Sequence, residues 1–164
     1  MQTIKVPGIS KPVALDAPIC LQSPHFSWYE ATKGGARIPE DEEITASIIR
    51  IAKALEGVRD TFDGRSITIT SWYRPPSVNR AVGGARLSKH LEGHAVDILV
   101  GDLDPREVTA ILSKNWNGGV GDSASFTHLD LGTKRRWDYR THLGSFSGDG
   151  SLSGEPFEHQ TDKA

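Results

Sequence analysis

A carboxylate inside an apolar strand sets the tightest constraint on how this chain can fold. Ala95-Val96-Asp97-Ile98-Leu99-Val100 has the continuous apolar character of a buried strand, and Asp97 stands within it. An unpaired carboxylate in such a place is strongly unfavourable unless a cation meets it. The fold therefore has to bring positive charge to Asp97.

The sequence limits where partners for that cation can come from. Cys20 is the single cysteine, which excludes an internal disulfide and any thiolate-rich metal site, so ligands must be histidines and carboxylates. These concentrate in two stretches where strands meet glycine-rich loops, residues 88–97 and residues 126–130. Alternation along a strand puts Asp97 on one face with Ala95 and Leu99, and His128 on one face with Phe126 and Asp130. Neighbouring strands would bring Asp97 and His128 together. His90 precedes Gly93, where a tight turn could fold its imidazole back toward the same place. Two imidazoles and a carboxylate form a borderline N/O set suited to Zn2+, and three protein ligands leave a fourth position open. A histidine and an aspartate seven apart are common by chance, so spacing alone does not decide the matter.

The surrounding pattern predicts an α+β fold with a small, mainly antiparallel sheet and helices on one side. Residues 41–60 carry Ile44, Ile48, Ile51, Ala52, Leu55 and Val58 at helical spacing. Residues 66–73 alternate as a half-buried strand that stops at Pro75-Pro76, followed by a glycine-rich loop with Gly83-Gly84. Ser27 and Glu30 fit a capping box for a short helix, and Asp104-Pro105 opens another that runs to about Lys114. Two further strands flank Gly118-Gly119 and Gly121, and the second runs through His128. The expected organisation is an extended arm over residues 1–23, a domain over 24–143, and a flexible tail over 144–164 rich in Gly, Ser and charge.

At 164 residues the chain suits one domain with its own core. A formal net charge of -2 supplies no basic field, so nucleic acid is not expected as a partner. No stretch reaches the ~20 apolar residues of a membrane span. Residues 1–21 lack the apolar run of a signal peptide, so synthesis in the cytoplasm is expected, and a monomer is the default.

The segment Ser88-x-His90-x-x-Gly93-x-Ala95-x-Asp97 resembles, at every defined place, the signature of the zinc D-alanyl-D-alanine carboxypeptidase family, which is similar to lysostaphin-type endopeptidases and the hedgehog signalling domain. Residues 71–76, Asn79, Gly83-Gly84 and residues 126–132 are similar to a short subgroup common in bacteria and tailed phages. The resemblance covers about residues 24–140. It implies zinc on His90, Asp97 and His128, with Arg74 near the substrate, and hydrolysis of peptidoglycan stem peptides or cross-links. In a chain made without a signal peptide, such a role implies arrival at the wall after lysis or on a phage particle.

The sequence departs from the better-known members at Ser125, three residues before the last ligand, where they carry an acidic general base. Asp130 is the first alternative as base or as a partner of His128, with Asp122 reaching in from the loop as the second. Arg74, fixed by the two prolines after it, could bind a carboxylate or an oxyanion. Ser88 is expected to organise the ligand loop or touch substrate, and Trp137 to line the groove. The intact ligands favour an enzyme. The missing acid favours the rival reading, a zinc-stabilised structural or binding module that does not hydrolyse. Lys134-Arg135-Arg136 reads as a solvated turn, and His25, His142 and His159 as bystanders.

Overall fold

The computed structural model of the chain describes residues 1–139; the expected tail over 144–164, with His142 and His159, lies outside them. In chain order the elements are β1 (Thr3–Ile4), β2 (Val13–Ala14), β3 (Pro18–Cys20), β4 (Ser23–Ser27), α1 (Trp28–Ala31), α2 (Glu42–Thr61), β5 (Ile67–Ser71), α3 (Pro76–Ala81), β6 (Ala95–Val100), α4 (Pro105–Ser113), β7 (Gly119–Asp122), β8 (Thr127–Asp130) and β9 (Arg135–Asp138), with a 3-10 turn at Lys89–Glu92. The last five strands form one sheet in the order β5-β6-β8-β7-β9, antiparallel except for the β7–β9 pair. This is the α+β architecture that the periodicities call for.

α2 starts where Asp41 accepts the Ile44 N–H, and it turns Ile48, Ile51, Ala52, Leu55 and Val58 inward. They share one core with Val96 and Ile98 of β6, Val120 of β7, Leu129 of β8, and Val108 and Leu112 of α4. Each such side chain contributes about 1.5–3 kcal/mol by leaving water. α2 and α4 therefore cover one face of the sheet. Its other face is left for chemistry.

The first 23 residues hold short paired strands joined by turns, and they are tied down. β1 pairs with β2 and β3 with β4, while Val6, Leu15 and Ile19 are buried. Ser23 donates from Oγ to Ala52 O and to Glu56 of α2, and Glu56 also accepts the backbone N–H of His25 and faces its ring. Burial pushes the Glu56 carboxyl up, but the hydrogen bonds from His25 and Ser23 prevail and hold it below its ordinary 4.5. A depressed carboxyl stabilises the fold above that value and stops doing so as pH falls beneath it. Urea unfolding should show a small loss of stability below about pH 4.5 that Glu56→Gln flattens; an unchanged pH profile in that variant would remove Glu56 from the account.

Two elements depart from expectation. The chain does not continue as loop after Pro75-Pro76 but forms α3, because Pro76 sits at the helix start, where a missing N–H costs nothing. The Lys134-Arg135-Arg136 run is not a solvated turn, since Arg135 and Arg136 open β9. Arg136 is held by carbonyls at the end of α4 and beyond, donating to Ser113 O, Trp116 O and Gly118 O. Arg136→Ala leaves these acceptors without their charged donor, and should cost about 2 kcal/mol in chemical denaturation. A loss within error of zero would mean that water replaces the guanidinium fully.

Candidate metal centre

Strand register aligns one row of residues across the whole sheet. Ser71 lies opposite Asp97, Asp97 opposite His128, His128 opposite Gly121, and Gly121 opposite Trp137. A second row runs beside it through Ala95, Asp130, Gly119 and Arg135. Residues directly opposite one another share a face, so both rows look away from α2 and α4. Gly121 is small for a reason: a Cβ there would stand 2.8 Å from ring carbons of both Trp137 and Tyr139. Those rings consequently reach across the strand to His128, with centroids at 5.1 and 6.4 Å.

His90 arrives from outside the sheet. The Ser88 Oγ accepts the His90 N–H and starts the 3-10 turn, and Gly93 ends it at φ 75°. The His90 carbonyl accepts the Arg74 N–H, and the His90 ring Nδ1 lies 2.7 Å from Trp72 O. A carbonyl can only accept, so Nδ1 carries the proton and Nε2 presents a lone pair. That lone pair faces Asp97 Oδ1 at 3.3 Å. His128 repeats the arrangement in mirror fashion: its Nε2 donates to Asp130 at 2.8 Å and its Nδ1 faces the same Asp97 Oδ1 at 2.9 Å.

All three residues are buried, and their candidate ligand atoms lie within 4.8 Å of one another. Three acceptors cannot face each other bare, so a proton or a metal ion has to stand among them. Burial alone would lower His128, yet its hydrogen bonds to Asp130 and Asp97 raise it to about 10. Burial likewise opposes ionisation of Asp97, but His90 and His128 hold it well below the usual carboxylate range. Asp97 Oδ2 and the neighbouring Ser71 Oγ are buried with no hydrogen-bond partner. Two nitrogen lone pairs, a carboxylate and an orphaned oxygen fit a zinc-sized cation.

The other expected residues fall in different places. Asp130 is on the right face but behind His128: its oxygens accept from His128, from both terminal nitrogens of Arg135, and from the backbone N–H groups of Gly119 and Gly132. Burial raises its pKa, and His128 and Arg135 more than reverse this, leaving it below the ordinary range. A carboxylate so occupied orients a ring well and takes a proton from water poorly. Asp122 belongs to the other face, since it pairs with Thr127 and lines a cavity against α4 with Arg106 and Thr109. It cannot reach in as expected. The reason is the strand itself, which carries Gly121 to the ligand face and Asp122 away from it.

Arg74 is 1% exposed and donates to Asn79 Oδ1, while its other terminal nitrogen stands 3.9 Å from Asp97 Oδ2. The guanidinium expected to face substrate is thus turned toward Asp97. Asn79 comes from α3, and Gly84 leaves it space, since a Cβ there would collide with Asn79 and Arg74. Ser88 serves the turn through its hydrogen bond to the His90 N–H. Trp137 is half-buried beside His128, and Ser125 is exposed in the loop before β8. Arg135, expected in a solvated turn, shares a face with Trp137 because both lie in β9.

Residues 21–130, more than half of the chain, match the family model described as Peptidase M15. No curated protein matches the chain.

Proposed function

The chain belongs to the peptidase M15 family, and from that premise we propose that it is a zinc-dependent hydrolase cutting amide bonds in peptidoglycan stem peptides or their cross-links. The observation that carries this reading is the convergence of His90 Nε2, His128 Nδ1 and the Asp97 carboxylate on one buried point. Zinc held there supplies a Lewis acid that polarises a carbonyl and makes water acidic near pH 7.

The chain's own residues prepare the place for that chemistry. Trp72 O fixes the His90 ring and Asp130 fixes the His128 ring, each leaving the nitrogen that faces Asp97 as the one a metal would take. Arg74 holds positive charge against Asp97, which offsets the cost of keeping that carboxylate ionised in a buried place. Trp137 and Tyr139 wall one side of His128 with apolar surface and limit water there. All three metal donors come from one chain, so a monomer suffices. The substrate sets the place of action at the cell wall, reached after lysis or on a phage particle. Among the described residues, no helix is long and apolar enough to cross a membrane.

One observation favours a second reading. Ser125 offers no carboxylate, Asp130 is committed to His128 and Arg135, and Asp122 faces α4. A protein that binds zinc without a proton acceptor would be a metal-stabilised binding or structural module. Purified protein should therefore be assayed for zinc content and for release of new amino groups from peptidoglycan. One zinc per chain with release supports the peptidase. One zinc per chain with no release across several wall types supports the module, and absence of zinc binding refutes both.

A further inference from the structure

The most heavily coordinated side chain near the centre is Asp130, and half of its side-chain partners are one residue that no expectation assigned to it. Arg135 approaches it with a fork: one terminal nitrogen donates to Oδ1 at 3.0 Å and the other to Oδ2 at 2.9 Å. Asp130 is completely buried, whereas the Arg135 side chain keeps 18% of its surface. A bidentate guanidinium on a buried carboxylate fixes the plane of that carboxylate as well as its charge. The same plane decides where Oδ2 lies, and Oδ2 receives Nε2–H of His128. The direction of the His128 ring, and hence of its Nδ1, follows from it.

The surroundings are shaped for this fork. Gly119 lies between Asp130 and Arg135 in the second row, and a Cβ there would come within 2.6 Å of both Asp130 oxygens and of the guanidinium. Gly132 and Gly119 give Oδ1 their backbone N–H groups, so only Oδ2 is left for the histidine. The guanidinium also lies over the Trp137 ring, 4.9 Å from its centroid, which steadies it from the groove side.

We propose that Arg135 is a positioning residue for the metal centre, setting zinc affinity through Asp130 and His128 without touching metal or substrate. The proposal rests on the reading of His90, Asp97 and His128 as ligands. It separates Arg135 from its neighbour Arg136, whose bonds go to carbonyls at the end of α4.

The test is a double-mutant cycle on zinc affinity, read by competition with a chromogenic chelator, using wild type, Arg135→Gln, Asp130→Asn and the double variant. Apo-protein unfolding is followed in parallel. Loss of an outer partner should weaken zinc about 10- to 100-fold for Asp130→Asn and about tenfold for Arg135→Gln. In the Asp130→Asn background, Arg135→Gln should add nothing, because its route to the metal has gone. Arg135→Lys, which keeps charge but cannot fork, guards against a variant that fails to fold, and it too should bind zinc more weakly than wild type. Additive losses in the cycle, or wild-type affinity in Arg135→Lys and Arg135→Gln, would overturn the inference while leaving the zinc reading intact. Wild-type protein that takes up no zinc would overturn both.

Discussion

Asp97→Asn protein is expected to emerge from expression and dialysis without zinc and to release no amino groups from peptidoglycan above the blank. Its affinity should fall by more than the ~10- to 100-fold that loss of an outer-shell partner costs, since a direct donor is lost. The amide keeps the size of the carboxylate and one acceptor oxygen, so the strand pairing of β6 with β5 and β8 has no steric reason to change. What disappears is the negative charge that two imidazoles and Arg74 surround. Circular dichroism should therefore remain native while zinc content collapses. Stoichiometric zinc in Asp97→Asn would mean that the metal sits elsewhere.

Gly93→Ala is expected to lose about 3 kcal/mol of stability and to bind zinc at least tenfold more weakly. The backbone there is left-handed at φ 75°, which costs an alanine about 1–2 kcal/mol. The new methyl group would also press on α2, at 3.0 Å from Ile48 Cγ1 and 3.1 Å from Ile44 O. Overpacking against a helix interior adds about 1–3 kcal/mol. The same turn aims His90 back at Asp97, so a shift that relieves the clash moves a ligand. Thermal unfolding and chelator competition on one sample separate the effects: stability lost with affinity intact would reduce Gly93 to a packing requirement.

These two residues also mark what could be read without coordinates. Asp97 was legible because burial and charge conflict inside one apolar hexapeptide, and Gly93 because a histidine outside a strand needs a sharp turn to return to it. The α2 periodicity, the β5 alternation and the continuous apolar run of β6 were equally plain, since each pattern persists over several residues. β9 was hidden because its opening charges look solvated until Asp130 and the carbonyls after α4 are found opposite them. α3 was hidden because two prolines read as a stop, when the second of them begins a helix. Asp130 was placed on the right face by alternation, but its work depends on partners from β7 and β9 that alternation within β8 cannot reveal. The sidedness of Asp122 follows from the register of β7 with β8, a tertiary fact.

The row from Ser71 to Trp137 has a consequence for how the molecule matures. Asp97 and His128 are 31 positions apart, and they meet only when β8 docks on β6. Before that event the chain owns a two-donor site from His90 and Asp97, which grips zinc weakly. Closing the intervening segment costs entropy that local contacts do not repay. Zinc should consequently recognise the finished sheet and not its precursors, slowing unfolding while leaving the rate of refolding unchanged. Stopped-flow refolding that accelerates with added zinc would place the β6–β8 pairing in the folding nucleus instead. On the expected outcome, the ion acts as a latch set after assembly, and a chain that holds it has already completed the pairing of β6 with β8.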